Sequence, residues 1–308
     1  MVRVGRRLIP SRGSAPTTFA PVGWRPIVSA IGRVFMAAGT LMLLFVAYEL
    51  WGTGISAAKS QHKLKDEFAH TLKVTTPDEA HSLNPPAMPT GSAVAIIKIP
   101  KIGVEKTVVQ GVGVEDLKKG PGHYPNTPMP GQAGNAAIAG HRTTYGAPFY
   151  NLDQLKPSDP ILVTTVQGSF RYEVLNTQIV KPSQVSVLDN TPDNRLTLTT
   201  CHPRFSASSR MVVTAQLIGT ALPVPPAVTK PASEPATDTA GLSGGTTARA
   251  PAVLWGLAFA AVWAAAYGVR RLLGRSSRWY VWPVALIPMA ITLFLFFENF
   301  QRLLPANV

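Results

Sequence analysis

The chain is poor in cysteine and in acid. One cysteine, Cys201, stands among 308 residues, which excludes an intramolecular disulfide framework and a zinc site built from several thiolates. Charged residues make up only 15% of the chain and hydrophobic ones 46%. That balance excludes an intrinsically disordered chain, which needs high charge and little apolar matter. Acidic residues number 16 against 29 Lys and Arg, for a formal net charge of +13. Such an excess suits a nucleic-acid binder as well as a membrane protein, so the placement of the charge decides between them.

Three apolar runs reach membrane length. Val34 to Leu50 holds one acid, Glu49, at its edge, and the runs Ala252–Val269 and Trp279–Phe297 hold no charge at all. At about 1.5 Å per residue each spans most or all of a hydrocarbon core. Trp279, Tyr280 and Trp282 resemble an interfacial aromatic belt. The flanks set the orientation. Residues 1–33 carry six arginines and no acid, and the turn between the last two spans carries Arg270, Arg271, Arg275 and Arg278 with no acid. Positive residues stay on the cytoplasmic side, so the central segment is expected outside. Ten of the thirteen net charges sit in these two pieces; residues 90–220 hold 12 basic and 8 acidic residues. The basicity reads as a topology signal, and no nucleic-acid partner is expected. A cleaved signal peptide is the alternative for the first run, but the run is long for that purpose and no small-x-small site follows it at once.

The expected organisation is a basic cytoplasmic N-terminus (1–33), a transmembrane helix (34–51), an extracytoplasmic stalk (52–90), a folded domain (91–219), a linker (220–251), a second transmembrane helix (252–269), a cytoplasmic loop (270–278), a third transmembrane helix (279–297) and a short tail (298–308). In the stalk Leu64, Phe68 and Leu72 recur every four residues, the spacing of a short amphipathic helix lying on the membrane or on the domain. Pro85, Pro86 and Pro89 end any helix there. The linker is rich in Pro, Ala, Thr and Gly.

The folded domain reads as strands. Ala93–Ile99, Val104–Gln110, Asn135–Ala139, Ile161–Val166, Phe170–Val180, Arg195–Thr200 and Met211–Ile218 are rich in Val, Ile and Thr, and several alternate. Helical signal is limited to Val114–Lys119 and Ala147–Leu155. The expected fold is mainly β: one antiparallel β-barrel with short helices.

Cys201 closes the run RLTLTTC and precedes His202-Pro203, which puts a thiol at the end of a strand. A buried small hydrophobe is the plain reading of such a cysteine; a nucleophile is the other, and it needs a base or cation beside it. His62, His70 and His81 lie in the stalk. His202 is adjacent in sequence, but neighbouring strand residues face opposite ways. His123 sits in the turn GPGHYP. His141 follows the apolar strand NAAIAG and has the best geometry. Arg204 and Arg210 both follow Cys201; Arg210 opens the last strand, where a hairpin would set it beside the cysteine, and either could stabilise an oxyanion.

TLTTC followed nine positions later by Arg210 resembles the TLxTC…R signature of sortases, and NAAIAGHR resembles their strand carrying the catalytic histidine. The similarity runs over about residues 93–218, and TTCHP is most like class E sortases. It implies a sortase-like barrel in which Cys201 is the nucleophile, His141 the general acid and base, and Arg210 the oxyanion donor. It further implies Tyr145 and Thr200 at the substrate groove. The implied reaction cuts an LPXTG- or LAXTG-like sorting signal after Thr through a thioacyl enzyme. The protein is then transferred to the amine of a peptidoglycan precursor (lipid II-like) or a pilin lysine. The implied partners are proteins with a C-terminal sorting signal and the membrane. No cofactor is expected, and no acidic cluster marks a calcium site, so no metal either. The chain departs from the simplest sortase in having two C-terminal spans. An L,D-transpeptidase is disfavoured by the missing His-Gly…Cys pattern, and a papain-like protease by a cysteine that ends a strand. A non-catalytic scaffold or receptor is the alternative of a different class.

Overall fold

In this computed structural model the structure describes residues 24–76, 88–224, 250–273 and 280–300. The basic N-terminal stretch up to residue 23, Pro85 and Pro86 of the stalk, most of the linker, Arg275, Arg278 and Trp279, and the last eight residues lie outside the described residues. The chain forms two compact units, Met1–Leu44 and Phe45–Val308. The described part of the first belongs to helix α1, Trp24–Ala47.

In the second unit a π-helical segment, Tyr48–Gly52, leads into α2, Thr53–Val74. The strands are β1 (Ala93–Ile99), β2 (Val104–Gln110), β3 (Gly122–His123), β4 (Asn135–Ala139), β5 (Pro160–Thr165), β6 (Gly168–Val180), β7 (Arg195–His202) and β8 (Ser209–Ile218), with a four-residue helix α3 (Val114–Leu117) after β2. They close into a barrel in the order β1-β2-β3-β4-β7-β8-β6-β5. Six of the pairings are antiparallel; β2 with β3 and β4 with β7 are parallel. The mainly β barrel expected from the sequence is thus present. The strand β3, two residues inside GPGHYP, carries too little side-chain pattern to be read as a strand. Where Ala147–Leu155 reads as helical, the chain makes turns and one 3-10 turn, Leu152–Gln154.

Alternation along each strand divides the residues between two faces. Ala136, Ile138, Leu196, Leu198, Met211 and Val213 join the core inside the barrel. Ala137 and Ala139 face outward under Val112, Leu117 and Tyr124.

The amphipathic stretch of the stalk is a 22-residue helix, and its apolar side lies on the barrel. Leu64 and Phe68 are buried with Ala93 and Val109, and Ile96 and Val166 pack alongside. Leu72, the third member of the repeat, stays 42% exposed. Gln61 fixes the register: its amide nitrogen donates to the carbonyls of Thr107 and Lys119, each at 2.9 Å, and its oxygen accepts from Thr107 N at 2.8 Å. A side chain that satisfies three backbone groups holds the helix to one place on the sheet.

Two further helices follow, α4 (Ala250–Leu272) and α5 (Val281–Phe300). Pro26–Ala47 of α1, α4 and α5 are each long and apolar enough to cross a membrane.

Candidate active site

The site is built on three adjacent strands, β4, β7 and β8. Leu196 and Leu198 point into the barrel, so Thr197, Thr199 and Cys201 point outward. In the β7–β8 ladder Cys201 stands directly opposite Arg210. Directly opposed residues share a face with their Cβ atoms about 5 Å apart. The parallel ladder of β4 and β7 pairs Ala139 with Thr199, and Gly140 N continues it to Thr199 O at 3.0 Å. Two residues past Ala139, His141 is therefore level with Cys201, two residues past Thr199, on the neighbouring chain. The three residues singled out from the sequence lie on or directly beyond the same ends of these neighbouring strands.

Gly140 makes this approach possible. A Cβ there would meet the Phe149 ring at 2.6 Å, so a larger residue would push His141 out of line. The Thr200 hydroxyl donates to Gly140 O at 2.7 Å. Thr200 is buried and lies on the opposite face of β7 from Cys201, so it ties the two strands together and does not line the outer groove. The His141 carbonyl accepts from Phe149 N at 3.2 Å. Its ring has Nδ1 3.3 Å from Thr144 Oγ1 and lies 5.0 Å, centre to centre, from the ring of Tyr145. Tyr145, Gly146 and Ala147 all have positive φ, at 50°, 74° and 42°. For Tyr and Ala that conformation costs on the order of 1–2 kcal/mol each. It is held in part from α2: Tyr145 N donates to Thr53 Oγ1 at 3.2 Å.

The site is closed to water. Cys201 is 4% exposed, His141 6% and Arg210 2%. Burial pushes the Cys201 thiol above its ordinary value, and the charges of Arg210 and Arg142 act against that rise. Arg210 Nη1 donates to Ala207 O at 3.0 Å and Ser209 O at 3.2 Å, which fixes the guanidinium, while its buried Nε has no partner among the described residues. Burial also raises the Tyr124 phenol, keeping it protonated; its oxygen lies 3.1 Å from Thr199 Oγ1, one step along the outer face from Cys201.

The other histidines separate cleanly. His123 is fully buried; its Nε2 donates to Pro128 O at 3.0 Å and its Nδ1 meets the Gln110 amide at 3.0 Å. Burial lowers it to about 4, so it is a neutral structural residue. His202 Nδ1 accepts from Arg142 Nη1 at 3.3 Å. Arg204 is drawn away from the thiol: it pairs with both oxygens of Asp153 at 3.0 and 3.1 Å and stacks over Tyr150 at 4.4 Å. Sequence reasoning missed Arg142 and Asp153. The available signal was an arginine directly after the strand-end histidine, which a surface position would equally explain.

A family model described as "Sortase domain" matches residues 97–218. Sortase D of Bacillus subtilis is 31% identical over 175 residues, 54% of this chain and 86% of that protein. The chain belongs to the sortase family. Sortase SrtE1 of Streptomyces coelicolor is 35% identical over 209 residues, which is 61% of this chain but 56% of that protein, and this sortase is class E-like. The chain therefore spans little more than half the length of that relative. Among solved structures, a Clostridium perfringens sortase D5 transpeptidase is 32% identical and covers 52% of this chain and 99% of that one, with a TM-score of 0.48.

Proposed function

We propose that this sortase is a membrane-anchored cysteine transpeptidase acting outside the cell. The single observation that carries the reading is the placement of Cys201 opposite Arg210 with His141 at the end of the adjoining strand. The Cys201 thiol gives its proton to His141, and its sulfur attacks the Thr carbonyl of an LPXTG- or LAXTG-like sorting signal, forming a C–S bond. The tetrahedral oxyanion is held by the fixed Arg210 guanidinium, whose charge is undiluted in a water-poor site. Collapse breaks the peptide C–N bond, and His141 gives its proton to the departing amine. An incoming amine then gives its proton to His141, attacks the thioester and releases the thiolate. A peptidoglycan precursor of the lipid II type, or a pilin lysine, supplies that amine. Tyr145, lying on the His141 ring in a strained conformation, is the side chain whose movement would admit the peptide.

The domain boundaries follow from the same reading. Residues 91–219 form the catalytic barrel, 1–33 and 270–278 are cytoplasmic, and 220–251 link the barrel to the C-terminal spans. The arginine-rich flanks support this orientation.

The test is incubation of the full chain in detergent micelles with quenched LAXTG and LPXTG peptides and an added amine. Amine-dependent cleavage that is lost in Cys201→Ala supports the proposal. Cleavage of neither peptide, or an equal rate from the alanine variant, favours an anchored scaffold.

A further inference from the structure

Arg142 directly follows His141 and is 3% exposed. Burying a guanidinium costs several kcal/mol unless its donors and charge are used. Here Nη1 donates to the main-chain carbonyl of Cys201 at 3.2 Å and to His202 Nδ1 at 3.3 Å, and it also lies 3.9 Å from Met211 Sδ. Nη2 pairs with Asp153 Oδ1 at 3.1 Å. Asp153 in turn holds Arg204, in the loop between β7 and β8. One guanidinium thus joins the backbone of the cysteine, the residue after it, and the loop that follows β7.

We propose that Arg142 is a positioning residue for Cys201: it fixes the cysteine's main chain and the adjoining His202 ring, and through Asp153 it holds the β7–β8 loop against the segment after β4. This goes beyond the transpeptidase reading but rests on it for its purpose. A guanidinium only donates, so His202 Nδ1 must accept, and the ring is committed to Arg142. That leaves His141 to serve the thiol. A second consequence is electrostatic. The titratable or charged groups around Cys201 are Arg210 across the β7–β8 ladder, Arg142 and His141 after β4, His202 next along β7, Tyr124 through Thr199, and Asp153 behind Arg142. Arg142 and Arg204 share one carboxylate, Asp153, while Arg210 stands across the ladder from the cysteine. This excess of positive charge works against the burial that raises the Cys201 thiol.

Cys201 is the only cysteine, so alkylation of the full chain by iodoacetamide reports on it alone. The rate is followed against pH in detergent for the wild type, Arg142→Met, Arg142→Lys and Asp153→Asn, with peptide cleavage measured beside it. Arg142→Met is expected to move the alkylation midpoint up by about one pH unit, within the usual effect of a nearby opposite charge. Arg142→Lys keeps the midpoint within roughly 0.3 units, because the charge remains. It still lowers kcat about tenfold at unchanged KM, because the two-armed geometry is lost. Asp153→Asn moves the midpoint down, since it removes the one negative charge, and also lowers kcat. Unchanged midpoints in both Arg142→Met and Asp153→Asn overturn the proposal, as does a shift of both in the same direction. If Arg142→Met fails to fold, the downward shift in Asp153→Asn and the kcat loss in Arg142→Lys decide it, and absence of both overturns it. Failure of the wild type to cleave any peptide would sink the transpeptidase reading while leaving the alkylation result to judge Arg142.

Discussion

His123 gives a stability prediction whose sign and size both follow from its surroundings. The imidazole is fully enclosed, with Nε2 donating to the Pro128 carbonyl, which can only accept, and Nδ1 against the Gln110 amide, which can present either its oxygen or its nitrogen. No carboxylate lies among these partners, so a proton on the second nitrogen brings an unpaired charge into the interior. In the unfolded chain His123 binds its proton near 6.5; the folded ring holds out to about 4. Between those values the unfolded state carries more protons, so stability is fully present above pH 6.5 and declines as the pH falls toward 4. A gap of that size is worth about 3 kcal/mol. For a domain of this size the loss corresponds to roughly 10 °C in Tm. The assay is thermal unfolding of the full chain in detergent at pH 7, 6, 5 and 4, for the wild type and for His123→Gln. The variant cannot titrate at this position, so its Tm is expected to fall less steeply, the two curves converging toward low pH. Parallel curves would refute the reasoning, because acid loss would then belong to other groups. A wild-type Tm that rises on acidification would refute it more strongly, since the ring would then be charged in the folded state.

Phe68→Ala removes a fully buried ring from the seam between α2 and the barrel. It is expected to cost about 3–5 kcal/mol, read as a lowered Tm, and hydrogen exchange should show α2 loosening before the barrel. Arg210→Ala is expected to lower kcat of peptide cleavage on the order of a hundredfold or more, the usual effect of losing one oxyanion donor. The folded barrel should survive, by circular dichroism, because Arg210 points out of the core; unchanged kcat would remove Arg210 from the mechanism.

The strands that the chain declares in sequence are those whose residues alternate between a core and an outer face. β1, β2 and β4 begin and end where the Val, Ile and Ala patterns do. The three helices long and apolar enough to cross a membrane were equally plain, because such long apolar runs have few other uses. The candidate site was visible in the same way: a lone Cys201 at a strand end, His141 at another, and Arg210 at the start of the next strand.

What sequence could not decide were relations between distant segments. Whether the stalk helix lies on lipid or on protein depends on what β1 and β2 offer it, and they offer Ala93 and Val109. The parallel pairing of β4 with β7 brings His141 level with Cys201 across sixty residues of chain, and no local pattern encodes that register. Thr200 sits beside the cysteine in sequence, yet the two-residue period of a strand turns it inward to Gly140. Arg142 reads as an ordinary surface arginine until Cys201 O, His202 and Asp153 converge on it. Residue type and spacing determine which groups exist and which face of an element they occupy. Which groups meet, and how far water is excluded from them, is decided only when the barrel closes, because burial and charge coupling belong to neighbours that the linear order does not name.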